Sequence, residues 1–363
     1  MKIVIVINSL ATGGAEKLVL DTIPKFIERG ITVELLLLNG TEHPFLTKMK
    51  EEKQCSISVL SNGSVYNPFL IFKIIPFLKK NSLVHVHLFP AIYWVVFAKV
   101  ISFSKCKLFL TEHNTTNRRK GIFFAFMDKR VYRKYEKLIA ITDEINEILK
   151  NKFRFQSSKF VKIHNGVDLQ KIQNAIPANK EDFGLKMSDK VIIQVSSFTP
   201  QKDQQTLIKA INKLPSHIHL LLVGDGPSKT NCITLAEKLK IKDRVHFLGL
   251  RMDVPNLLKM ADIVVLSSHF EGLSLASIEG MISGKPFVAS RVPGLQNLVE
   301  GAGILVEENN DAHLAEEIQH LLNDTLYYSQ KVTNCQERAK EFGLEKMVTN
   351  YISLYNQVWE SQN

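Results

Sequence analysis

The chain alternates short apolar runs with amphipathic helical stretches along most of its 363 residues. The runs are rich in Val, Ile and Leu and lack the strict alternation typical of a strand with one solvent-exposed face. They predict strands buried on both faces, and their alternation with helices predicts βαβ units in doubly wound parallel sheets. The predicted strands are Lys2–Ile7, Thr32–Leu38, Ser56–Leu60, Leu83–Leu88, Lys107–Thr111, Leu138–Thr142, Phe160–His164, Val191–Ser196, His219–Val223, Val245–Leu248, Ile263–Leu266, Pro286–Ala289 and Gly303–Val306.

The pattern is interrupted over Asp168–Lys190, a polar stretch that contains Pro177 and Gly184. A chain of this length is expected to form two domains. We therefore predict one Rossmann-like domain over residues 1–168, a linker over 169–189 and a second Rossmann-like domain over 190–340. The remaining residues, 341–363, contain an amphipathic helix over Leu344–Glu360 that needs a surface to pack on.

Charge divides the chain into two unlike halves. Residues 1–185 carry 28 Lys and Arg against 16 Asp and Glu, a net charge of +12, whereas residues 186–363 carry −2. This asymmetry predicts an anionic partner for the first half: nucleic acid, a membrane face or a phosphorylated ligand.

Cysteine usage and hydropathy narrow the class of protein. The four cysteines are dispersed and form no CxxC pair, so neither a disulfide framework nor a structural zinc site is expected, and a reducing cytosol fits best. The longest apolar stretch, Ala91–Val100, is too short to span a bilayer. The apolar N-terminus is better interpreted as a buried first strand than as a signal peptide.

Candidate binding groups of the first half follow its predicted strands, where ligands bind in open α/β sheets. Gly13 and Gly14 open a helix directly after the first strand, so their backbone could approach a phosphate closely, although an ordinary βα turn is equally compatible. His85 and His87 share one face of a strand, and His113 follows the next strand. These histidines could donate to a sugar hydroxyl or a phosphate, or could be purely structural, and no further metal ligands accompany them.

In the second half, Lys202 stands just before a predicted helix, where the helix dipole does not favour a cation, so an anion held nearby would explain it. Gly224 lies in another tight turn, Val223–Pro227, at the same sheet edge. The segment Ser268–Pro286 contains two carboxylates, Glu271 before a helix predicted to begin near Ser274, and Glu279 inside it. Carboxylates accept hydrogen bonds from sugar hydroxyls, and free N–H groups at a helix start bind phosphate.

A hydrolase is the competing interpretation of this segment. The run from Gly272 to Ala276 resembles a GxSxG nucleophile elbow, but no strand directly precedes it and no Asp and His follow in the expected order. The chain also has no Asp-x-Asp sequence, so carboxylates that could hold a cation are not clustered. We therefore expect no metal cofactor, with phosphate charge met by glycine turns, Lys202 and helix starts.

These motifs, in this order, resemble the retaining glycosyltransferases of family 4. The resemblance runs from the Gly13–Glu16 turn to about Glu300, and its strongest part is the block Asp262–Gly294 with the Glu271/Glu279 pair. Val223–Pro227, Phe247–Gly249 and Asn165–Asp168 add to it. It implies the GT-B fold: two Rossmann-like domains with a cleft between them and a C-terminal helix that crosses back to the first domain.

The resemblance also implies the roles of individual residues. A nucleotide sugar, expected to be UDP-linked, would be bound mainly by the second domain, with Glu279 on the ribose, Lys202 on the diphosphate and Leu250 beside the base. Ser197 stands where the family usually has an arginine, so charge compensation would depend on Lys202, or on Arg251 or Arg291. The other implied site residues are Glu271 with Gly272, Leu273, Ser274 and Leu275 at the sugar and diphosphate, Gly224 in its turn, Gly13 and Gly14 near the phosphates, and His113 near the sugar or acceptor.

The implied activity is sugar transfer with retention to a growing, lipid-linked glycan in capsule or lipopolysaccharide biosynthesis. The basic, aromatic stretch Arg118–Lys134 suits an anionic membrane surface, or else is a solvated face beside core aromatics. We therefore expect a cytoplasmic protein, peripheral on the inner face of the cell membrane. The alternatives are a nucleotide-sugar epimerase of the same architecture and, without any recognisable motif, a nucleic-acid-binding protein.

Overall fold

In a computed structural model, which describes residues 1–113 and 121–360, the chain forms two compact units. The first comprises Met1–Gly166 together with Leu344–Asn363, and the second comprises Val167–Gly343. Residues 169–189, predicted as a linker, lie within the second unit, where they contain a helix at Leu169–Gln173 and a 3-10 turn at Lys180–Phe183. Each unit is built around a parallel sheet.

The sheet of the first unit has seven parallel strands in the order β3-β2-β1-β4-β5-β6-β7. Its strands are β1 (Lys2–Ile7), β2 (Thr32–Leu37), β3 (Ser56–Val59), β4 (Leu83–His87), β5 (Lys107–Glu112), β6 (Lys137–Ala140) and β7 (Phe160–Lys162). The connecting helices are α1 (Gly14–Glu28), α2 (Pro44–Glu52), α3 (Leu70–Lys80), α4 (Ala91–Ser102), α5 (Ile122–Arg133) and α6 (Asp143–Phe153). The order reverses between β1 and β4, which makes the carboxyl ends of these two strands the switch point of the sheet.

The sheet of the second unit has six parallel strands in the order β10-β9-β8-β11-β12-β13. Its strands are β8 (Lys190–Val195), β9 (Ile218–Val223), β10 (Val245–Gly249), β11 (Ile263–Leu266), β12 (Phe287–Ser290) and β13 (Ile304–Val306). Its helices are α7 (Leu169–Gln173), α8 (Gln204–Lys213), α9 (Lys229–Lys238), α10 (Val254–Met260), α11 (Leu275–Ile282), α12 (Pro293–Val299), α13 (Asp311–Asn323) and α14 (Thr325–Ala339). The switch point lies between β8 and β11.

The last helix, α15 (Leu344–Glu360), belongs to the first unit and packs on α1. Tyr351 and Tyr355 are buried, and their rings meet Phe26 edge-on with centroids 6.3 Å and 5.8 Å away. Arg29 pairs with Glu345 at the rim of this contact. An amphipathic helix without a sheet of its own thereby buries its apolar face.

The predicted architecture is confirmed: two Rossmann-like units, each with a doubly wound parallel sheet. Every strand is found within a few residues of its predicted bounds because both faces of each sheet are covered, so strand residues such as Ile3, Val4 and Ile5 are almost fully buried. Within residues 1–113 and 121–360, none of the helices combines the length and apolarity that crossing a bilayer requires.

Candidate functional site

The switch point of the second unit carries a buried ion pair. Lys202 lies in the loop after β8 and Glu271 in the loop after β11, and the Lys202 ammonium contacts the Glu271 carboxylate. The two side chains are only 15% and 10% exposed. Two neighbouring strands thus bring together residues that are 69 positions apart in the sequence, at the place where ligands of open α/β sheets bind.

The two loops are joined by further hydrogen bonds that fix this pair. Lys202 forms an isolated antiparallel bridge with Ser268, and the Ser268 hydroxyl lies 2.9 Å from the Gln201 carbonyl and 3.3 Å from Glu271 Oε1. Burial lowers the pKa of Lys202 to about 8, while the adjacent carboxylate of Glu271 favours the charged ammonium. Among the described residues, Lys202 forms one ion pair, and its partner is Glu271.

The N-terminus of α11 opens beside this pair. Ser274 is the N-cap and Leu275 begins the helix. The Ser274 side chain makes no capping hydrogen bond, and the described first turn contains no acidic residue. The first N–H groups of the helix are thus free to meet an anion. Gly272 and Leu273 connect Glu271 to this helix start.

Gly294 on α12 supports the loop from behind. A Cβ atom on Gly294 would lie 2.1 Å from the Glu271 carbonyl oxygen, so only glycine permits this close approach. The loop geometry also argues against the hydrolase alternative. A nucleophile elbow places its serine immediately after a strand, whereas β11 ends at Leu266 and Ser274 caps a helix eight residues later.

Other predicted donor residues of this unit border the same edge. Ser197 follows β8, and its carbonyl accepts a hydrogen bond of 3.0 Å from the Gln204 side chain. Gly224 follows β9 with a φ of +135°, and a Cβ there would lie 2.1 Å from the Ser196 carbonyl oxygen. Leu250 follows β10 and is 47% exposed, whereas Glu279 is buried on α11.

The other two candidate cations already have carboxylate partners. Arg251 contacts Asp253 through two hydrogen bonds, of 2.8 Å and 2.6 Å. Arg291 donates to Glu307 at 3.0 Å. These pairs are exposed, whereas the Lys202 pair is buried, so Lys202 is the candidate cation in the less screened environment.

In the first unit, Gly13 is the N-cap of α1 and Gly14 its first residue. Gly14 is exposed, and a Cβ on it would meet nothing within 4 Å. A Cβ on Gly13 would instead overlap the Glu16 carboxylate, which lies at this helix start, and burial raises the pKa of Glu16. The turn therefore already holds one carboxylate of its own.

Three histidines gather at β4 and β5: His85 and His87 lie on β4, and His113 directly follows β5. His87 Nδ1 lies 3.0 Å from His113 Nε2, and the rings of His85 and His87 are 4.3 Å apart. His85 Nδ1 lies 2.6 Å from the Tyr355 hydroxyl and its Nε2 lies 2.8 Å from Thr111 Oγ1. Both nitrogens of His85 are thus engaged, which is incompatible with metal ligation by this residue.

Burial keeps these imidazoles neutral. Desolvation lowers the pKa of His85 to about 3 and of His113 to about 4, and lowers the pKa of His87 well below its ordinary value. Between two neutral rings, one nitrogen donates and the other accepts, so this contact couples the tautomer of His113 to that of His87. In residues 1–113 and 121–360, no group of three metal-ligating side chains is positioned to hold an ion.

Several residues around these sites escaped sequence reasoning. The Gln194 side chain accepts from the Ser267 amide at 3.1 Å and donates to Ser196 Oγ at 3.0 Å, beneath the Lys202 loop. A lone glutamine in the apolar run Val191–Val195 is a signal that could have identified it. Asp203 caps α8. Tyr351 and Tyr355 reach the histidine cluster from α15. Spacing along the sequence does not reveal these contacts.

Comparison with known proteins agrees with this architecture. Residues 175–342 match the model of the family "Glycosyl transferases group 1", and residues 12–171 match "Glycosyltransferase Family 4". The two matches are consecutive, and together they span nearly the whole chain.

Curated relatives are named as transferases or synthases. The chain is 34% identical over 49% of its length to the N-acetyl-alpha-D-glucosaminyl L-malate synthase of Bacillus anthracis, but it covers only 48% of that protein. It is 30% identical to an Escherichia coli UDP-Gal:alpha-D-GlcNAc-diphosphoundecaprenol alpha-1,3-galactosyltransferase, with 60% of this chain and 59% of that enzyme aligned. A Campylobacter jejuni N-acetylgalactosaminyltransferase acting on a diphospho-undecaprenol-linked sugar is 26% identical over 95% of this chain and 97% of its own.

Solved structures share the fold. HepE of Anabaena in complex with UDP and glucose superposes with a TM-score of 0.85 at 21% identity, covering 98% of this chain and 99% of its own. WaaG, a glycosyltransferase involved in lipopolysaccharide biosynthesis, superposes with a TM-score of 0.74 at 18% identity, over 97% and 99% of the two chains. At these identities the likeness concerns the GT-B fold alone.

Proposed function

Because this chain belongs to glycosyltransferase family 4, we propose that it transfers a sugar from a UDP-linked donor to a lipid-linked glycan, with retention of configuration. Relatives named for transfer to diphosphoundecaprenol-linked sugars support the acceptor class. HepE, solved with UDP and glucose, supports a uridine donor. The three curated relatives reported above are named as transferases or synthases, which favours transfer over the epimerase alternative.

One observation carries the proposal: the Lys202–Glu271 pair at the switch point beside the open start of α11. A diphosphate needs a cation and oriented N–H donors, and both converge here. We assign the diphosphate to Lys202 and the amides from Gly272 to Leu275, and the sugar hydroxyls to Glu271. Glu279 would accept from the ribose, while Leu250, Ser197 and Gly224 would border the nucleoside.

The same pair suggests how the leaving group is stabilised. In transfer with retention and no positioned nucleophile, the acceptor oxygen attacks the anomeric carbon on the face from which the diphosphate departs. The carbon–oxygen bond to the diphosphate breaks, and the acceptor proton passes to a departing phosphate oxygen. Lys202 and the α11 amides would stabilise the charge that develops on the diphosphate, as fixed dipoles do in a water-poor site.

The acceptor side is assigned to the first unit. His113, held neutral and oriented by His87, can donate to or accept from a sugar hydroxyl without adding charge. Gly14 leaves space for a ligand at the start of α1, and Gly13 caps that helix. We propose that these residues lie near the donor sugar and the acceptor, and that no metal ion takes part.

We further propose that the protein works at the inner membrane face. The predicted membrane stretch includes Arg118, Arg119 and Lys120, which lie outside the described residues. Its described part, α5, exposes Phe124, Phe126, Lys129 and Arg130. Sedimentation with vesicles should increase when anionic lipid is added; equal sedimentation with neutral and anionic vesicles would contradict a membrane location.

The proposed reaction is tested by incubating the chain with UDP-, GDP- and ADP-sugars and a polyprenyl-diphosphate-linked saccharide. We expect UDP-sugars to raise the unfolding temperature by mass action and one of them to extend the acceptor. The new linkage should have the anomeric configuration of the donor, and a chelator should leave the rate unchanged. An inverted linkage would refute retention, and an epimerised donor without acceptor would favour the epimerase.

A further inference from the structure

Two exposed aromatic rings lie at the edge of the seven-stranded sheet where its strands end. Tyr66, in the loop between β3 and α3, is 62% exposed, and Phe89, just after β4, is 36% exposed, whereas Phe109 on β5 is fully buried. The centroids of the Tyr66 and Phe89 rings are 6.0 Å apart, and the ring planes make an angle of 54°. Because the rings are tilted rather than stacked, each keeps part of a face open to solvent. We name these two residues the aromatic pair.

The position of Phe89 is fixed by its backbone and by the loop after β1. Leu88, directly before it, has a φ of +63°, which residues other than glycine rarely adopt. Asn8 Nδ2 donates to the Phe89 carbonyl at 2.8 Å, and Asn8 Oδ1 accepts from the Ala91 N–H at 3.3 Å. Tyr93 meets the Phe89 ring edge-on, with centroids 5.4 Å apart. A ring held in this way loses little conformational entropy when a ligand packs against it.

The loop that carries Tyr66 is held equally well. Ser64 Oγ accepts from the Tyr66 N–H at 3.2 Å. The Val65 carbonyl accepts from Trp94 Nε1 on α4 at 2.8 Å, and the Val65 side chain packs against the core. Both rings of the aromatic pair are therefore presented by a preformed surface, in a region of the sheet edge where ligands bind in this class of fold.

The loops around the aromatic pair carry no charge. Residues 8–13, 60–69 and 88–90 contain no Asp, Glu, Lys or Arg, although the first 185 residues have a net charge of +12. An acidic headgroup or a nucleic-acid backbone would find no ionic partner in these loops. Phe89 lies two residues after His87, whose ring is also neutral. The surface thus favours a ligand that is neutral and partly apolar.

We propose that the aromatic pair stacks against a pyranose ring of the acceptor saccharide. The C–H groups on one face of a pyranose pack against an aromatic ring, while its hydroxyl groups form hydrogen bonds with neutral polar groups nearby. A polyprenyl chain would instead require continuous apolar surroundings, whereas the neighbours of Tyr66 include the exposed polar residues Ser64 and Asn67. This inference rests on the proposed function for its acceptor, and it deepens that function by naming the residues that contact the saccharide.

The test is saturation-transfer NMR of the full chain with the methyl glycosides of glucose, galactose, N-acetylglucosamine and N-acetylgalactosamine. At least one glycoside should bind, with the strongest saturation at the C–H groups of one ring face. Tyr66→Ala and Phe89→Ala should each weaken its binding roughly tenfold, because a stacking partner is removed. Phe89→Tyr keeps the ring and should bind the glycoside like the wild type.

The matched control is Phe103→Ala. Phe103 is 90% exposed and precedes β5, so it lies at the opposite edge of the same sheet, and its loss should leave glycoside binding unchanged. Tyr66 is also mostly exposed, so Tyr66→Ala should keep the wild-type unfolding temperature. Wild-type affinity in both Tyr66→Ala and Phe89→Ala would overturn the inference, as would the absence of saturation transfer to all four glycosides.

Steady-state kinetics with a UDP-sugar and a polyprenyl-diphosphate-linked saccharide separate this inference from the proposed function. Tyr66→Ala should raise the KM for the acceptor, while kcat and UDP affinity remain those of the wild type. A chain that binds glycosides through the aromatic pair but transfers no sugar would uphold the inference and refute the proposed function. Transfer with an unchanged acceptor KM in both alanine variants would do the reverse.

A lipid contact is distinguished by the same variants. Polyprenyl diphosphate without a saccharide and phosphatidylcholine vesicles with phosphatidylglycerol are offered to the wild type, Tyr66→Ala and Phe89→Ala. All three proteins should bind each of these probes equally well. If the two variants lost affinity for either lipid probe but still bound the methyl glycosides like the wild type, the aromatic pair would contact lipid, and the saccharide assignment would be wrong.

Discussion

The two units place polar groups at equivalent positions, but these groups are neutral in the first unit and charged in the second. In the first, His87 ends β4 and His113 follows the neighbouring strand β5, and burial keeps their rings neutral. In the second, Lys202 and Glu271 follow the neighbouring strands β8 and β11 and remain an ion pair despite similar burial. A shared fold therefore does not determine the chemistry of its switch point.

The difference is consistent with the two ligands proposed above. A neutral imidazole suits sugar hydroxyls, because it donates and accepts without paying the desolvation cost of a charge. A buried cation with a single carboxylate partner suits a diphosphate, which can replace or share that partner. This contrast supports the proposed assignment of the acceptor to the first unit and of the charged donor to the second.

The largest effect is expected from the cation. Lys202→Ala should lower the rate of transfer roughly 10²- to 10³-fold, as removal of one donor from a charge-stabilising site does. Arg251→Ala is the matched control, because Arg251 is already held by Asp253 at the same edge, and its loss should change the rate little. Steady-state transfer rates with the preferred UDP-sugar measure both. Comparable losses in the two variants would remove the special role of Lys202.

The histidine cluster predicts acid sensitivity of the first unit. The folded-state pKa values of His85 and His113, about 3 and about 4, lie below the unfolded value near 6.5. The unfolded chain therefore binds more protons at low pH, and stability is lost as pH falls below 6.5. At pH 5 the loss is about 2 kcal/mol for each histidine.

Urea unfolding followed by tryptophan fluorescence measures this effect selectively. Trp94 and Trp359 both belong to the first unit, and they are the two tryptophans of the chain. The urea concentration at the unfolding midpoint should decrease as the pH is lowered from 7.5 to 5. His85→Gln should make this midpoint less dependent on pH. A midpoint independent of pH would show that the cluster is hydrated or protonated in the folded state.

In the second unit, stability is expected to depend on the close approach of Gly294 to the Glu271 carbonyl. Gly294→Ala should destabilise the chain by about 1–3 kcal/mol and weaken UDP binding, because its Cβ would displace the Glu271 carbonyl. Gly14→Ala is the control: it has space for a methyl group and lies in a helix, so its stability should not fall. Thermal unfolding with and without UDP compares the two. If Gly294→Ala left both the unfolding temperature and UDP binding unchanged, the loop that carries Glu271 would have to be free to move away.

The smallest effect concerns the orientation of His113. His87→Phe removes one hydrogen bond, worth about 1 kcal/mol, and should lower kcat about fivefold while UDP binding is unchanged. His87→Gln can still donate to His113 and should recover part of the rate. If UDP affinity falls along with kcat, His87 has a general structural role rather than a positioning one.

The strands were predictable and the side-chain partnerships were not. Runs such as Lys2–Ile7 and Ile263–Leu266 can be recognised in the sequence, because the strands of a sheet covered on both faces are continuously apolar. The helix start at Ser274 was also predicted. The contact of Lys202 with Glu271, and that of His85 with Tyr355, join residues 69 and 270 positions apart, and they arise only from strand order and helix packing.

The central claim, that Lys202 meets the donor diphosphate, is tested most directly by UDP affinity as a function of pH in the wild type and in Lys202→Met. Burial lowers the pKa of Lys202 to about 8, so the charged form that binds the diphosphate is lost above that pH. Subtracting the Lys202→Met profile removes the titration of UDP itself. We expect wild-type affinity, relative to the variant, to be constant below pH 7.5 and to fall by up to tenfold per unit above about 8. Equal affinities and parallel profiles for the two proteins would contradict the account.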